Sequence, residues 1–168
     1  MHNHHPHPKF SIITVTYNAA KVLEDTIQSI VTQTYKNLEY IIVDGGSTDE
    51  TLDIIHKYQE HITTVISEPD QGLYDAMNKG IKLATGDYLC FLNAGDGHLS
   101  APATLTWKSF KQGMLVCHQA FFARRDLVEP YDLQYRFSAD FDWCIRIMKK
   151  ADVLHNTHLT LIDYLNEG

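Results

Sequence analysis

At 168 residues, 44% hydrophobic and 21% charged, the chain has the length and composition of one globular domain, which excludes a wholly disordered or fibrous protein. The formal charge of −7 argues against a nucleic-acid partner, since proteins that bind a phosphate backbone depend on clustered Lys and Arg. No apolar run approaches the ~20 residues that cross a bilayer, and the N-terminus lacks the apolar segment of a signal peptide, so the expected location is the cytoplasm.

Met1 to Pro8 carries His2, His4, His5 and His7 and reads as a disordered leader or a tag remnant, with metal chelation as the alternative. From Phe10 onward, β-type runs alternate with helix-period segments, the mark of βαβ units. Phe10 to Thr16 is the first strand, and Val22, Leu23, Ile27, Ile30 and Val31 make one apolar stripe on the helix after it. Leu38 to Asp44 is the second strand. Ser47 and Glu50 form a capping box, which predicts a helix starting there and carrying Leu52, Ile55 and Tyr58. Thr63 to Ser67 is a short third strand. Leu73, Met77, Gly80, Ile81 and Ala84 repeat at helical spacing, with Gly86 placed for a left-handed C-cap, and Tyr88 to Leu92 is a buried fourth strand.

This β-α-β-α-β-α-β order predicts an α/β doubly wound sheet that binds ligands outside the carboxyl ends of its strands. After Asp96 the rhythm breaks. Gly97 to Thr106 reads as loop, Leu115 to Phe122 as a strand, Ala139 to Lys150 as an amphipathic helix and Thr157 to Leu161 as a last strand. Cys90, Cys117 and Cys144 lie in apolar stretches without CxxC spacing and read as buried thiols of a reducing compartment.

The chemistry-bearing residues fall at the predicted carboxyl ends. Tyr17 ends the first strand and either stacks on a nucleobase or packs as a partly buried ring. Asp44, before Gly45 and Gly46, can accept hydrogen bonds from a base or ribose, and no structural task for it is evident. Asp75, Asn78 and Lys79 occupy neighbouring helical turns and read as one wall of a nucleotide pocket or as a solvated face. Asn93-Ala94-Gly95-Asp96 is the best candidate for a hard divalent cation on a diphosphate, and also a common turn. Asp140 and Asp142 open the amphipathic helix, as dipole charges or with one of them as a general base.

Taken together, these segments resemble the family 2 glycosyltransferases, which have the GT-A fold, a Rossmann-like, mostly parallel sheet flanked by helices. The resemblance is carried by Ser11 to Asn18, Ile41 to Asp49, Glu68 to Gly80, Phe91 to Asp96, Cys117-His118-Gln119 and Ala139 to Asp142. It implies transfer of a sugar, with inversion, from a nucleotide diphosphate sugar, most often UDP-linked, to a glycan or lipid-linked hydroxyl in polysaccharide or glycoconjugate assembly. A lipid-linked acceptor would bring the enzyme to the membrane face. By the same analogy Tyr17 and Asp44 hold the base, with Thr14, Thr16 and Asp70 near the nucleoside. Asp96, following Asn93 and Gly95, holds Mg2+ or Mn2+ on the diphosphate, Asp140 is the catalytic base, and His118 and Gln119 border the sugar or acceptor.

Three departures accompany the match. Asn93 and Gly95 stand where many members carry aspartates, only Gly97 to Val116 separates the metal motif from His118-Gln119, and the chain stops at Gly168 before the usual C-terminal helices. The resemblance therefore implies a single domain over 9–168, with a nucleotide-sugar half at 9–96 and a shortened acceptor half at 97–168. One rival is a non-catalytic nucleotide-sugar-binding module. Another is a sugar nucleotidyltransferase, which would need a Gly-rich, Arg-containing loop where Asn18-Ala19-Ala20-Lys21 stands.

Overall fold

A computed structural model describes residues 7–93, 105–112 and 118–155. Its two central strands are apolar on both faces, as strands covered by helices on both sides must be. In β1 (Phe10–Thr16), Ile13 and Val15 enter one core and Ile12 packs against the other. In β2 (Leu38–Asp44), Ile41 and Val43 join the first core, Tyr40 and Ile42 the second. With β3 (Thr64–Ser67), β4 (Tyr88–Phe91) and β5 (Ala123–Arg124) they form a five-stranded sheet in the order β3-β2-β1-β4-β5. Strands β1 to β4 are parallel, and β5 pairs antiparallel with β4.

Helices α1 (Leu23–Val31) and α2 (Thr51–Lys57) supply Leu23, Ile27, Ile30 and Ile55 to one core. Helices α3 (Leu73–Leu83) and α4 (Ala139–Lys150) supply Met77, Trp143 and Ile147 to the other. The helix predicted over Ala139 to Lys150 thus has the expected bounds. The chain steps outward from β1 to β2 and β3 and then returns to the far side of β1 as β4. That reversal makes the carboxyl ends of β1 and β4 the topological switch point, the usual ligand position in an open α/β sheet.

Several local expectations are corrected. Ser47 does not cap a helix: its hydroxyl donates to Asp44, and α2 begins at Thr51, whose N–H is taken by the Asp49 carboxylate at 3.1 Å. Gly86 is no left-handed cap, because α3 ends at Leu83 and Ala84 is already extended. Close packing is what requires a glycine there: a Cβ would lie 2.8 Å from both the Lys9 carbonyl and the Ser11 N–H nitrogen. Leu73 is exposed, and the buried face of α3 is built from Ala76, Met77, Asn78 and Gly80.

Residues 118–122, predicted as strand, form a 3₁₀ turn at His118–Ala120, with the short strand displaced to Ala123–Arg124. Another 3₁₀ segment, Trp107–Gln112, had no periodicity to announce it. Of the leader, His7 and Pro8 are tied to the fold through their carbonyls, which accept from Asn37 Nδ2 and Tyr35 O–H. The strand expected at Thr157 to Leu161, Cys117, and the motif residues Gly95 and Asp96 lie outside the described residues.

At the amino-terminal edge, Glu39 is buried beneath the start of β1. Its carboxylate accepts from Lys9 Nζ and Ser11 O–H, both at 2.5 Å, from Thr85 N–H at 2.5 Å and from Thr85 O–H at 2.6 Å. Burial opposes ionisation here, but these donors prevail and hold the carboxyl down at about 2.

Candidate functional site

The carboxyl edge has two parts, one around β1, β2 and the loop into α3, and one where β4 meets the start of α4. In the first, Tyr17 follows β1 and is 63% exposed as a residue, so its side chain is available for stacking. Asn18 beside it takes a positive φ of 48°, held by the Ser47 hydroxyl on its N–H and by Thr48 N–H on its Oδ1. Gly45 forms the floor: a Cβ there would stand 2.5 Å from an Asp70 carboxylate oxygen and 3.4 Å from the Tyr17 ring. Asp70 is half-buried and accepts from Gly72 N–H at 2.8 Å, where Gly72 (φ 113°) turns the chain into α3.

Asp44 has a different position from the expected one. It is fully buried, and its carboxylate accepts from the N–H groups of Gly46 and Ser47 at 3.1 and 3.0 Å, from Ser67 O–H at 2.7 Å and from Ser47 O–H. It therefore ties the β2 turn to the end of β3, a structural task the sequence did not disclose, and has no free face for a base. Thr14 is also fully enclosed, donating to the Leu92 carbonyl and accepting from Tyr40 O–H. Thr16, at the tip of β1, has a buried hydroxyl with no partner among the described residues.

On α3 the three candidate residues divide. Asp75 caps its own helix entry by accepting from Gln71 N–H at 3.0 Å. Lys79 holds the preceding loop through the Pro69 carbonyl at 3.0 Å and Glu68 at 2.9 Å. Asn78 is turned inward instead, bonding both the N–H and the carbonyl of Tyr131 at 2.7 and 3.0 Å. A docking clamp for residue 131 replaces the expected nucleotide-wall role, because a buried amide must use its donor and acceptor internally.

The second part is built on β4. Asn93 follows it, its N–H accepted by Gln119 Oε1 at 2.8 Å, while both polar atoms of its own side chain are buried and without partners among the described residues. Its amide oxygen is a hard donor of the type a divalent cation takes, which fits the resemblance's metal motif. Gln119 is thereby a brace, and His118 beside it directs Nδ1 to Asp140 Oδ2 at 3.4 Å and leaves a buried Nε2 unpartnered among the described residues.

Asp140, in the first turn of α4, is half-buried and also accepts from Tyr74 O–H at 2.9 Å. Burial works against its charge, but the His118 and Tyr74 bonds win and hold the carboxyl below the usual range. Asp142 points away, paired with Arg146 at 2.7 Å. Only one of the two carboxylates thus enters the site, as their different helical faces require. The contact the sequence did not reveal is Tyr74; its one signal was spacing, since Tyr74 and Asn78 sit four apart on the face of α3 that meets Tyr131 and Asp140.

Gly45→Ala is expected to weaken nucleotide binding about tenfold, since a methyl there must displace Asp70, while leaving thermal stability nearly unchanged. Titration calorimetry with UDP checks this, and wild-type affinity in the variant would remove Gly45 and Asp70 from the site.

Residues 11–152 match Glycosyl transferase family 2. A PGL/p-HBAD biosynthesis glycosyltransferase of Mycobacterium bovis (strain BCG / Pasteur 1173P2) is 37% identical, covering 96% of this chain and 78% of that protein. The match runs over 200 aligned positions, more than the 168 residues of the chain, so that relative carries residues inside the matched region that are missing here. A teichuronic acid biosynthesis glycosyltransferase of Bacillus subtilis (strain 168), TuaG, is 41% identical over 53% of this chain and 36% of its own length. Among solved structures, S. aureus TarS 1-349 in complex with UDP-GlcNAc is 30% identical over 51% of this chain and 26% of that one, with a TM-score of 0.47. No helix among the described residues is long and apolar enough to cross a membrane. With a mostly parallel sheet of the GT-A kind and a family match spanning nearly all of the fold, the chain belongs to glycosyltransferase family 2.

Proposed function

We propose that this glycosyltransferase moves a sugar from a nucleotide diphosphate sugar, UDP-linked in the first instance, to an acceptor hydroxyl with inversion at the anomeric carbon. The observation that carries the reading is Asp140, a half-buried carboxylate kept ionised and aimed by two partners at the edge where β4 ends. It takes the proton of the acceptor hydroxyl as that oxygen bonds to the anomeric carbon. On the opposite side the bond from this carbon to the diphosphate oxygen breaks, and its electron pair leaves with the nucleoside diphosphate. Tyr17 stacks on the base above Gly45, with Asp70 beside it. Asp96, outside the described residues, would hold Mg2+ or Mn2+ with Asn93 nearby, and such a cation would supply charge neutralisation for the departing diphosphate. His118 and the Thr16 hydroxyl, which has no partner among the described residues, would meet donor or acceptor oxygens.

The names of the mycobacterial and Bacillus relatives suggest the setting, assembly of a glycoconjugate or polysaccharide. Thermal unfolding tests the donor class. UDP at a hundred times its dissociation constant should stabilise the fold by about 2.7 kcal/mol, more with Mn2+ than without. Asp96→Ala should erase the difference made by Mn2+. A midpoint indifferent to UDP, GDP and their sugars, with and without Mn2+, would rule out a nucleotide-sugar enzyme.

A further inference from the structure

Tyr74 lies on the helix that follows the donor loop, yet its hydroxyl ends on the acceptor-side carboxylate. The ring is held by a stack of aromatic side chains. It stacks on Tyr131 with centroids 5.3 Å apart, and Tyr131 stacks in turn on Trp143 at 5.0 Å. Trp143 Nε1–H donates to the Glu129 carbonyl at 2.8 Å, and Asn78, one turn along α3 from Tyr74, clamps the backbone of Tyr131. A phenol fixed by this stack has little freedom of its own, so its O–H points at one place, Asp140 Oδ1. The other oxygen, Oδ2, faces His118. The two partners come from different elements, α3 and the His118–Ala120 turn, and together fix the carboxylate plane.

We propose that Tyr74 is a positioning residue for sugar transfer, its hydroxyl holding the Asp140 carboxylate in the orientation from which it takes the acceptor's proton. The proposal rests on the assignment of Asp140 as the base. A base one rotamer away from its proton loses most of its effect, because general-base catalysis depends on hydrogen-bond reach. The groups facing Asp140 are Tyr74 from α3, His118 from the 3₁₀ turn and the Tyr131 hydroxyl from the loop before α4, while Asp142 on its own helix is taken by Arg146. Of these, Tyr74 can be altered by one oxygen atom with its stacking left intact. Loss of that O–H removes a bond to the ionised form, so the Asp140 carboxyl should move up.

The test compares Tyr74→Phe, Asp140→Asn and the double variant. Asp140 is first followed by 13C NMR titration of aspartate-labelled protein, assigned by the signal missing in Asp140→Asn. It should titrate below the usual aspartate range in the parent chain and about one pH unit higher in Tyr74→Phe, a shift that needs no substrate to be read. Turnover is then measured as release of UDP or GDP from a panel of UDP- and GDP-sugars. The kcat of Tyr74→Phe should fall about tenfold with the donor KM unchanged, even though its base is the stronger one, and the acid limb of the profile should move up in pH. In the Asp140→Asn background, removing the Tyr74 hydroxyl should change nothing further. An unmoved Asp140 titration, or an equal loss of turnover from Tyr74→Phe with and without the Asp140 carboxylate, overturns the proposal. Full activity in Asp140→Asn with the titration shift intact would instead sink the assignment of the base.

Discussion

Asp140→Asn should abolish sugar transfer, with kcat lowered about 10²- to 10⁴-fold, while UDP still binds as in the parent chain. The amide has nearly the shape of the carboxylate and can keep the bond from Tyr74, so the fold around α4 should persist. What is lost is the ability to take a proton. The stack of Tyr74, Tyr131 and Trp143 does not depend on the charge of Asp140, and the groups around Gly45 stand on other elements. Steady-state turnover and UDP titration on the same preparation separate the two effects. A variant within threefold of the parent kcat would move the base elsewhere, and His118 would be the next residue to examine, because its Nε2 is buried without a partner among the described residues.

Glu39→Gln should lower stability at neutral pH by about 3 kcal/mol, with activity changed only in proportion to the folded fraction. The carboxyl sits at about 2 in the fold against 4.5 as a free side chain, a depression that favours the folded state wherever the group is ionised. Its contribution is therefore complete above 4.5 and fades as pH falls toward 2. Urea unfolding at pH 7 and pH 3 should show a large gap between parent and variant at the first and a smaller one at the second. An equal gap at both would mean that the shape of the side chain matters and its charge does not. The charge and its acceptor oxygens matter because glutamine would turn an N–H2 group toward Lys9 or Thr85, which are themselves donors.

How far the site was legible follows from the range of each interaction. Asp140 was singled out because short polar groups begin an amphipathic helix, and it meets His118 and Tyr74 while Asp142 pairs with Arg146 instead. Asp44 was misread as free. Its partners include Ser67, 23 residues away, and no local pattern ties a carboxylate to a hydroxyl at the end of a neighbouring strand. Asn78 was misread for the same reason, since the backbone it clamps lies 53 residues further on.

The sequence by itself determined the elements and their order. Apolar β-type runs at Phe10–Thr16 and Leu38–Asp44 and helical stripes at Leu23–Val31 and Ala139–Lys150 are local consequences of which side chains must leave water, and local rules suffice to read them. Only the tertiary structure decided which polar residues are used up internally and which remain for a ligand. Asp44, Thr14 and Asn78 are consumed by partners that the sheet and α3 bring to them, whereas Tyr17 stays exposed and Asp140, though paired, is only half-buried. Tyr74 shows the difference most plainly: its helix is written in the residues beside it, but its hydroxyl meets a carboxylate 66 positions away because α3 and α4 share one core.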